Sequence, residues 1–235
     1  MREEWPVGEV VERNQLTPTF GRDVIEGKHV TLAPLDAGAH GADLYASFAE
    51  NDLEDRIWTY MGQGPFADEA AFRSWLDPVE QSSDPLYYTI IPASSKKPHG
   101  MASFMRMDHA NGVAEIGNIW FAPSLQRTRA ATEAIFLTMR HVLDTQSCRR
   151  LEWKCNSLNA PSRRAAERFG FQFEGIFLNH MIIKGRNRDT SWFAIIEEDW
   201  PPIRDAFEAW LADDNFDDCG IQQMSLGTLT QAARA

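Results

Sequence analysis

Between Pro123 and Phe171 the chain sets out a helix start, a strand and a second helix start, in that order. The first unit, Gln126-Arg-Thr-Arg-Ala-Ala-Thr132, leads into an apolar-periodic run and predicts a helix from Gln126 to Leu143, with Ala130, Ala131, Ala134, Ile135 and Val142 on its core face. Leu151 to Cys155 reads as a strand. The second unit runs from Asn159 to Gly170-Phe171. It predicts a helix over 160–169, with Asn159 as N-cap and Gly170 just past the end. The first start is rich in Arg, Thr and Ala. Orphan N–H groups and the helix dipole attract anions there, and small side chains let a phosphate approach the backbone. Arg127 and Arg129 can add charge-assisted bonds. An ordinary helix start with a packed alanine face fits the same residues.

Charge sharpens this. The chain has 235 residues and a formal net charge of −11, which argues against a nucleic-acid partner. Residues 126–188 nevertheless carry twelve Lys or Arg against five Asp or Glu. A basic island in an acidic chain suits one polyanionic ligand, or a set of solvated faces. With the helix starts, it points to coenzyme A and so to an acyltransferase. The acidic remainder would suit a cationic acceptor.

The 43% of apolar residues suffices for a full core, and no run of about 18 apolar residues predicts a membrane span. Residues 1–27 read as an extended arm, 28–198 as one domain, and 199–235 as a helix behind Pro201-Pro202 followed by a loose polar tail. Within the domain the pattern predicts a strand at 29–35, helices at 41–50 and 68–81, and strands at 86–92, 100–107, 113–121, 171–183 and 191–196. The gap 108–112 reads as a hairpin. Without strict βαβ alternation, the class is α+β with a mixed sheet. Cys148, Cys155 and Cys219 show no metal-ligand spacing. A reduced, cytoplasmic setting is expected, without a secretory leader, and no metal.

The order of these parts, from His29 to Glu198, resembles the GNAT superfamily of N-acyltransferases, and most of all its RimJ/RimL-type branch. Members share a Gln/Arg-x-x-Gly-x-Gly/Ala loop, and this chain has Gln126-Arg-Thr-Arg-Ala-Ala131. The resemblance implies the GNAT fold: a central twisted mixed sheet flanked by helices, with a splayed strand pair. It implies acetyl-CoA as co-substrate. Gln126, Arg127, Thr128, Arg129, Ala130, Ala131 and Thr132 would bind its pyrophosphate, with Arg129 where the family has glycine. Asn159-x-x-Ser162 matches the second marker. Asn159 would contact the pantetheine arm, and Ser162 would lie near the thioester sulfur. The tyrosine that protonates the thiolate in many members is replaced by Ala166, so Ser162 is the substitute acid. A thiol's ordinary pKa near 8.5 makes thiolate a fair leaving group in any case.

An alkylammonium must lose a proton before it attacks, so a base is needed. Glu115 lies on the apolar-patterned face shared by Gly117, Ile119 and Phe121, in a segment that resembles the RimJ/RimL-type strand before the pyrophosphate loop. It is the candidate base, through water; the alternative is an exposed strand carboxylate. His180 is a second candidate, or a structural histidine. Trp58 and Tyr60, in the aromatic loop 57–66, would wall the acceptor pocket in this superfamily, or pack. Cys155 reads as a buried thiol with no activating base. The expected reaction is acetyl transfer to the primary amine of a small molecule or aminoacyl compound. The alternatives are a protein N-terminal acetyltransferase, or a non-catalytic acyl-CoA-binding module; a homodimer is one expected assembly.

Overall fold

A computed structural model describes residues 5–11, 19–49 and 54–234. Strands β1 (Ile25–Glu26) and β2 (Val30–Pro34) precede helices α1 (Ala37–Ala49), α2 (Glu54–Trp58) and α3 (Glu69–Glu80). Then come β3 (Leu86–Pro92), β4 (Gly100–Asp108), β5 (Val113–Phe121), α4 (Arg129–Arg140), β6 (Arg150–Asn156) and α5 (Ala160–Arg168). Strands β7 (Gln172–Ile183) and β8 (Arg186–Ile196) and helices α6 (Trp200–Leu211) and α7 (Leu226–Ala232) complete the chain. The eight strands form one sheet in the order β1-β2-β3-β4-β5-β6-β8-β7. Every neighbouring pair is antiparallel except β5–β6. A parallel pair needs a crossover, and α4 supplies it.

Adjacent strand residues point to opposite faces, and the sheet uses both. Tyr88, Phe104, Ile116, Leu151 and Phe193 face a core shared with Ile135, Met139 and Phe207. Tyr87, Met101 and Trp120 face a second core made with Leu44, Phe48, Trp58, Phe72 and Leu76. The mixed sheet with flanking helices is the expected architecture.

Several boundaries differ from the sequence reading. Helix α4 starts at Arg129, not Gln126, because the Thr128 side chain caps it by accepting from the Ala131 N–H. Its last turns, His141–Thr145, widen into a π-helix. Helix α1 starts at Ala37 rather than Gly41, since Asp36 Oδ1 accepts from the Ala39 N–H at 2.8 Å; the expected end at Glu50 lies outside the described residues. Strand β8 begins five residues early, at Arg186. Only Lys184 and Gly185 turn between β7 and β8, both with positive φ (50° and 71°), the signature of a tight two-residue hairpin. Residues 213–235 are not a loose tail among the described positions. Leu226 is fully buried, Trp210 Nε1 donates to Gln222 Oε1 at 2.8 Å, and Thr230 Oγ1 donates to the Arg168 carbonyl at 3.1 Å. The N-terminal arm docks as well: the Tyr88 hydroxyl contacts the Gly21 and Asp23 carbonyls at 2.9 and 3.0 Å.

Candidate active site

Strands β5 and β6 part almost as soon as they meet. Their register holds only at Val113↔Arg150, Ala114↔Leu151 and Glu115↔Glu152. A bulge explains the divergence. Between Met101↔Trp120 and Ser103↔Gly117, β5 carries one extra residue, and Asn118 takes φ 50°. Its side chain anchors the bulge by donating from Nδ2 to Ser103 Oγ at 3.0 Å, while Ser103 donates to the Gly117 carbonyl at 3.1 Å. Bulges bend a strand and raise its local twist. Residues 116–121 and 153–156 therefore face each other across a wedge with unpaired backbone edges.

Both helix starts stand at the open end of that wedge, and they differ. At α5, Asn159 Oδ1 accepts from the Ser162 N–H at 3.2 Å, Pro161 has no N–H, and the Arg163 N–H bonds to the Asn159 carbonyl. At α4 the cap satisfies Ala131, yet the N–H groups of Arg129 and Ala130 meet no acceptor among the described residues. A cleft of about 230 Å³ lies there, lined by His29, Ala93, Ser94, Thr128, Arg129 and Ala130. Buried His29 Nε2 and Arg129 Nε have no partner either, and burial pushes the His29 pKa down. The anion-ready helix end is thus α4. Ala131 and Thr132 are buried in its first turn.

The Arg129 guanidinium turns away from this cleft. Its Nη2 donates to the Leu211 and Ala212 carbonyls at 3.3 and 2.9 Å, and its Cζ sits 3.7 Å from the Phe216 ring centroid. The expectation that its charge serves the phosphates is corrected: the side chain caps the end of α6. Arg127 is exposed at φ 62°. Gln126 Nε2 donates to the Phe121 carbonyl at 3.0 Å, which fastens the turn to β5.

Ser162 Oγ accepts from Trp153 Nε1 at 3.0 Å. Burial pushes the Cys155 thiol up, and a hydrogen bond with Ser162 opposes it only in part; Cys155 stays a thiol. Ala166 is fully buried.

Glu115 is the last residue paired across the seam and is 3% exposed. Its Oε2 takes Arg106 Nη1 at 2.7 Å and Lys154 Nζ at 2.9 Å. Lys154 also reaches Glu152 at 2.6 Å and lies 3.9 Å from the Trp192 ring centroid. The exposed-carboxylate alternative is excluded, and only Oε1 remains without a cation. His180 is exposed on β7, with Nδ1 2.9 Å from Thr190 Oγ1. Trp58 is placed differently from its expected role. It is fully buried, with its ring centroid 5.2 Å from Phe48 and 5.1 Å from Phe66, so its side chain is core rather than pocket wall. Its carbonyl accepts from Lys184 Nζ at 2.8 Å, and the Tyr60 hydroxyl donates to the Leu158 carbonyl at 3.1 Å. The loop after α2 is thereby clipped to the β7–β8 hairpin and to the turn before α5.

The α4 end stands at the open end of the wedge and Glu115 at its closed end; Trp58 and the Arg129 side chain do not face it. The partners of Glu115 escaped the sequence reading. The alternation Arg150, Glu152, Lys154 along β6 was a visible signal, but the placing of Arg106 depends on a bulge in β4, where Arg106 takes φ 48°. Among the described residues no group of three or more His, Cys, Asp or Glu could hold a metal ion, and no helix is long and apolar enough to cross a membrane.

Residues 29–172 match the acetyltransferase (GNAT) domain family. A GCN5-related N-acetyltransferase from Brucella melitensis is 46% identical, with a TM-score of 0.89 over 91% of this chain and 96% of its own. An uncharacterized N-acetyltransferase, p20, from Bacillus licheniformis is 24% identical over 155 residues, 63% of this chain and 84% of its own. The microcin C7 self-immunity acetyltransferase MccE, solved in complex with acetyl-CoA and AMP, is similar in fold, with 24% identity and a TM-score of 0.62 over 72% of this chain and 93% of its own. With its wedge between β5 and β6 and this family match over most of its length, the chain belongs to the GNAT acetyltransferase family.

Proposed function

We propose that this protein transfers an acetyl group from acetyl-CoA directly to the primary amine of a small molecule or aminoacyl compound. The observation that carries the reading is the wedge between β5 and β6, open beside an α4 end whose N–H groups lack acceptors. An extended amide-bearing arm can pair with the free strand edges, and a pyrophosphate suits the helix end. The acetyl-CoA of the similar MccE structure supports that choice of donor.

Each residue has a task in this reading. The N–H groups of Arg129 and Ala130 hold phosphate oxygens, and Arg127 adds charge from its exposed position. Asn159 has Nδ2 free for an arm carbonyl, since only Oδ1 is used by the cap. Ser162 accepts from Trp153, and its hydroxyl proton, now shared with the Cys155 sulfur, turns to the departing sulfur, directly or through water. Glu115 Oε1 receives the amine's proton through water, with Oε2 fixed by Arg106 and Lys154.

The test is CoA release by the purified protein with acetyl-CoA and a panel of amines and N-terminal peptides. Turnover of small amines above peptides is the expected result. Preference for peptides would replace it with a protein N-terminal acetyltransferase, and binding without any release would leave an acyl-CoA-binding module.

The two arginines of the α4 turn should separate. Arg127→Ala is expected to weaken acetyl-CoA binding several-fold at low salt, and less as salt screens the charge. Arg129→Ala should chiefly lower stability, by about 1–2 kcal/mol for its carbonyl and ring contacts. Calorimetric titration at two salt concentrations, beside thermal melts, checks both.

A further inference from the structure

The sheet face that bears Glu115 carries four cations and three carboxylates around the closed end of the wedge. Arg150 pairs with Glu152 and Glu174, Lys154 with Glu115 and Glu152, and Arg106 with Glu115. Arg188 is the cation left over. It lies on β8 two residues before Thr190 and four before Trp192, so all three share that face. Its Nε donates to Thr190 Oγ1 at 3.2 Å, the hydroxyl that also meets His180 Nδ1. Its two terminal nitrogens have no partner among the described residues. Its ionisable neighbours are Cys155, Glu115 and Arg106, which puts the guanidinium beside the seam where β5 and β6 separate, and burial pulls its pKa down.

A half-buried guanidinium without a counter-charge is costly. Three neighbouring cations contact carboxylates, whereas Arg188 has none at salt-bridge distance among the described residues and only the already shared Glu115 nearby, which leaves its terminal nitrogens for an anion supplied by a ligand. We propose that the acceptor amine carries a carboxylate and that Arg188 binds it, fixing which amines the enzyme uses. This rests on the reading of acetyl transfer above and narrows its acceptor. The two free nitrogens form one edge of a planar fork, which matches the two oxygens of a carboxylate. One surplus positive charge also matches one negative charge, whereas a phosphate dianion would leave an excess. The local surplus reverses the expectation of a cationic acceptor drawn from the acidity of the whole chain: the field at the wedge differs in sign from the net charge of −11.

The experiment measures CoA release with matched acceptors: α-amino acids, ω-amino acids and dipeptides, each beside its C-terminal amide, and phosphoethanolamine beside ethanolamine. In the wild type, kcat/KM for the preferred acid should exceed that of its amide by about ten- to a hundredfold, the range of a charge-assisted pair. Arg188→Gln should collapse that ratio toward one, mainly through KM for the acid, and Arg188→Lys should restore part of it. Equal use of acids and amides by the wild type would overturn the proposal while leaving acetyl transfer intact. Equal loss in both arms for Arg188→Gln, or preference for the phosphate-bearing amine, would overturn it as well. Failure of every amine would sink the acetyl-transfer reading and this one with it.

Discussion

Glu115→Gln is expected to lower kcat by about a hundredfold or more, the usual range for removing a general base, with acetyl-CoA affinity changed less than about twofold. The side chain keeps its size, and the amide oxygen can still accept from one cation. Lys154 is only 5% exposed, but it retains Glu152 at 2.6 Å, so the substitution does not strand it without a counter-charge. The full cost of breaking a buried pair, about 3–5 kcal/mol, is therefore not expected, and the variant should melt close to the wild type. Steady-state kinetics across pH, beside equilibrium binding of acetyl-CoA, checks this. A variant with near wild-type turnover at neutral pH would reduce Glu115 to an anchor for Arg106 and Lys154.

Trp58→Ala is expected to destabilise the protein by about 3–5 kcal/mol, as for large-to-small changes at fully buried aromatic positions. In a domain of this size that corresponds to a fall in Tm of roughly 10 °C. The indole meets Phe48, Phe66 and Trp120 at centroid distances of 5.2, 5.1 and 5.4 Å, and its removal opens the second core from within. Tyr60→Phe, which loses one exposed hydrogen bond to Leu158, should cost at most about 1 kcal/mol. If Trp58→Ala instead left Tm unchanged and raised KM for the acceptor, Trp58 would belong to the pocket after all. Thermal denaturation by calorimetry, followed by kinetics on both variants, separates the cases.

The two helix starts were legible because their signals are local. Thr128 and Asn159 cap by bonding N–H groups three residues on, and such caps are written in adjacent residues. The wedge came with the family resemblance, since its cause is a left-handed Asn118 held by Ser103 from a neighbouring strand. No periodicity in β5 announces that residue. Arg129 misled for a similar reason: its position at a helix start suggested a ligand, while its partners Leu211, Ala212 and Phe216 lie more than eighty residues away in the chain. The C-terminal helix was missed because 213–235 is polar on average; three buried residues, Asn215, Leu226 and Thr230, and side-chain bonds to distant carbonyls hold it in place. Trp58 reads in the sequence as part of a glycine- and proline-rich loop, yet it closes the short helix α2 and faces inward.

The seam between β5 and β6 makes the sheet two panels rather than one plate. Strands β1–β5 form the first panel and β6, β8 and β7 the second, and only three residue pairs join them across the sheet. Helix α4, which carries the chain from one panel to the other, acts as the strap behind that hinge. Under the proposed function, an extended ligand seated in the gap would take the place of the strand that the sheet lacks there. Its backbone-like amides would then knit the panels together, and occupancy and rigidity of the whole plate would rise as a single event.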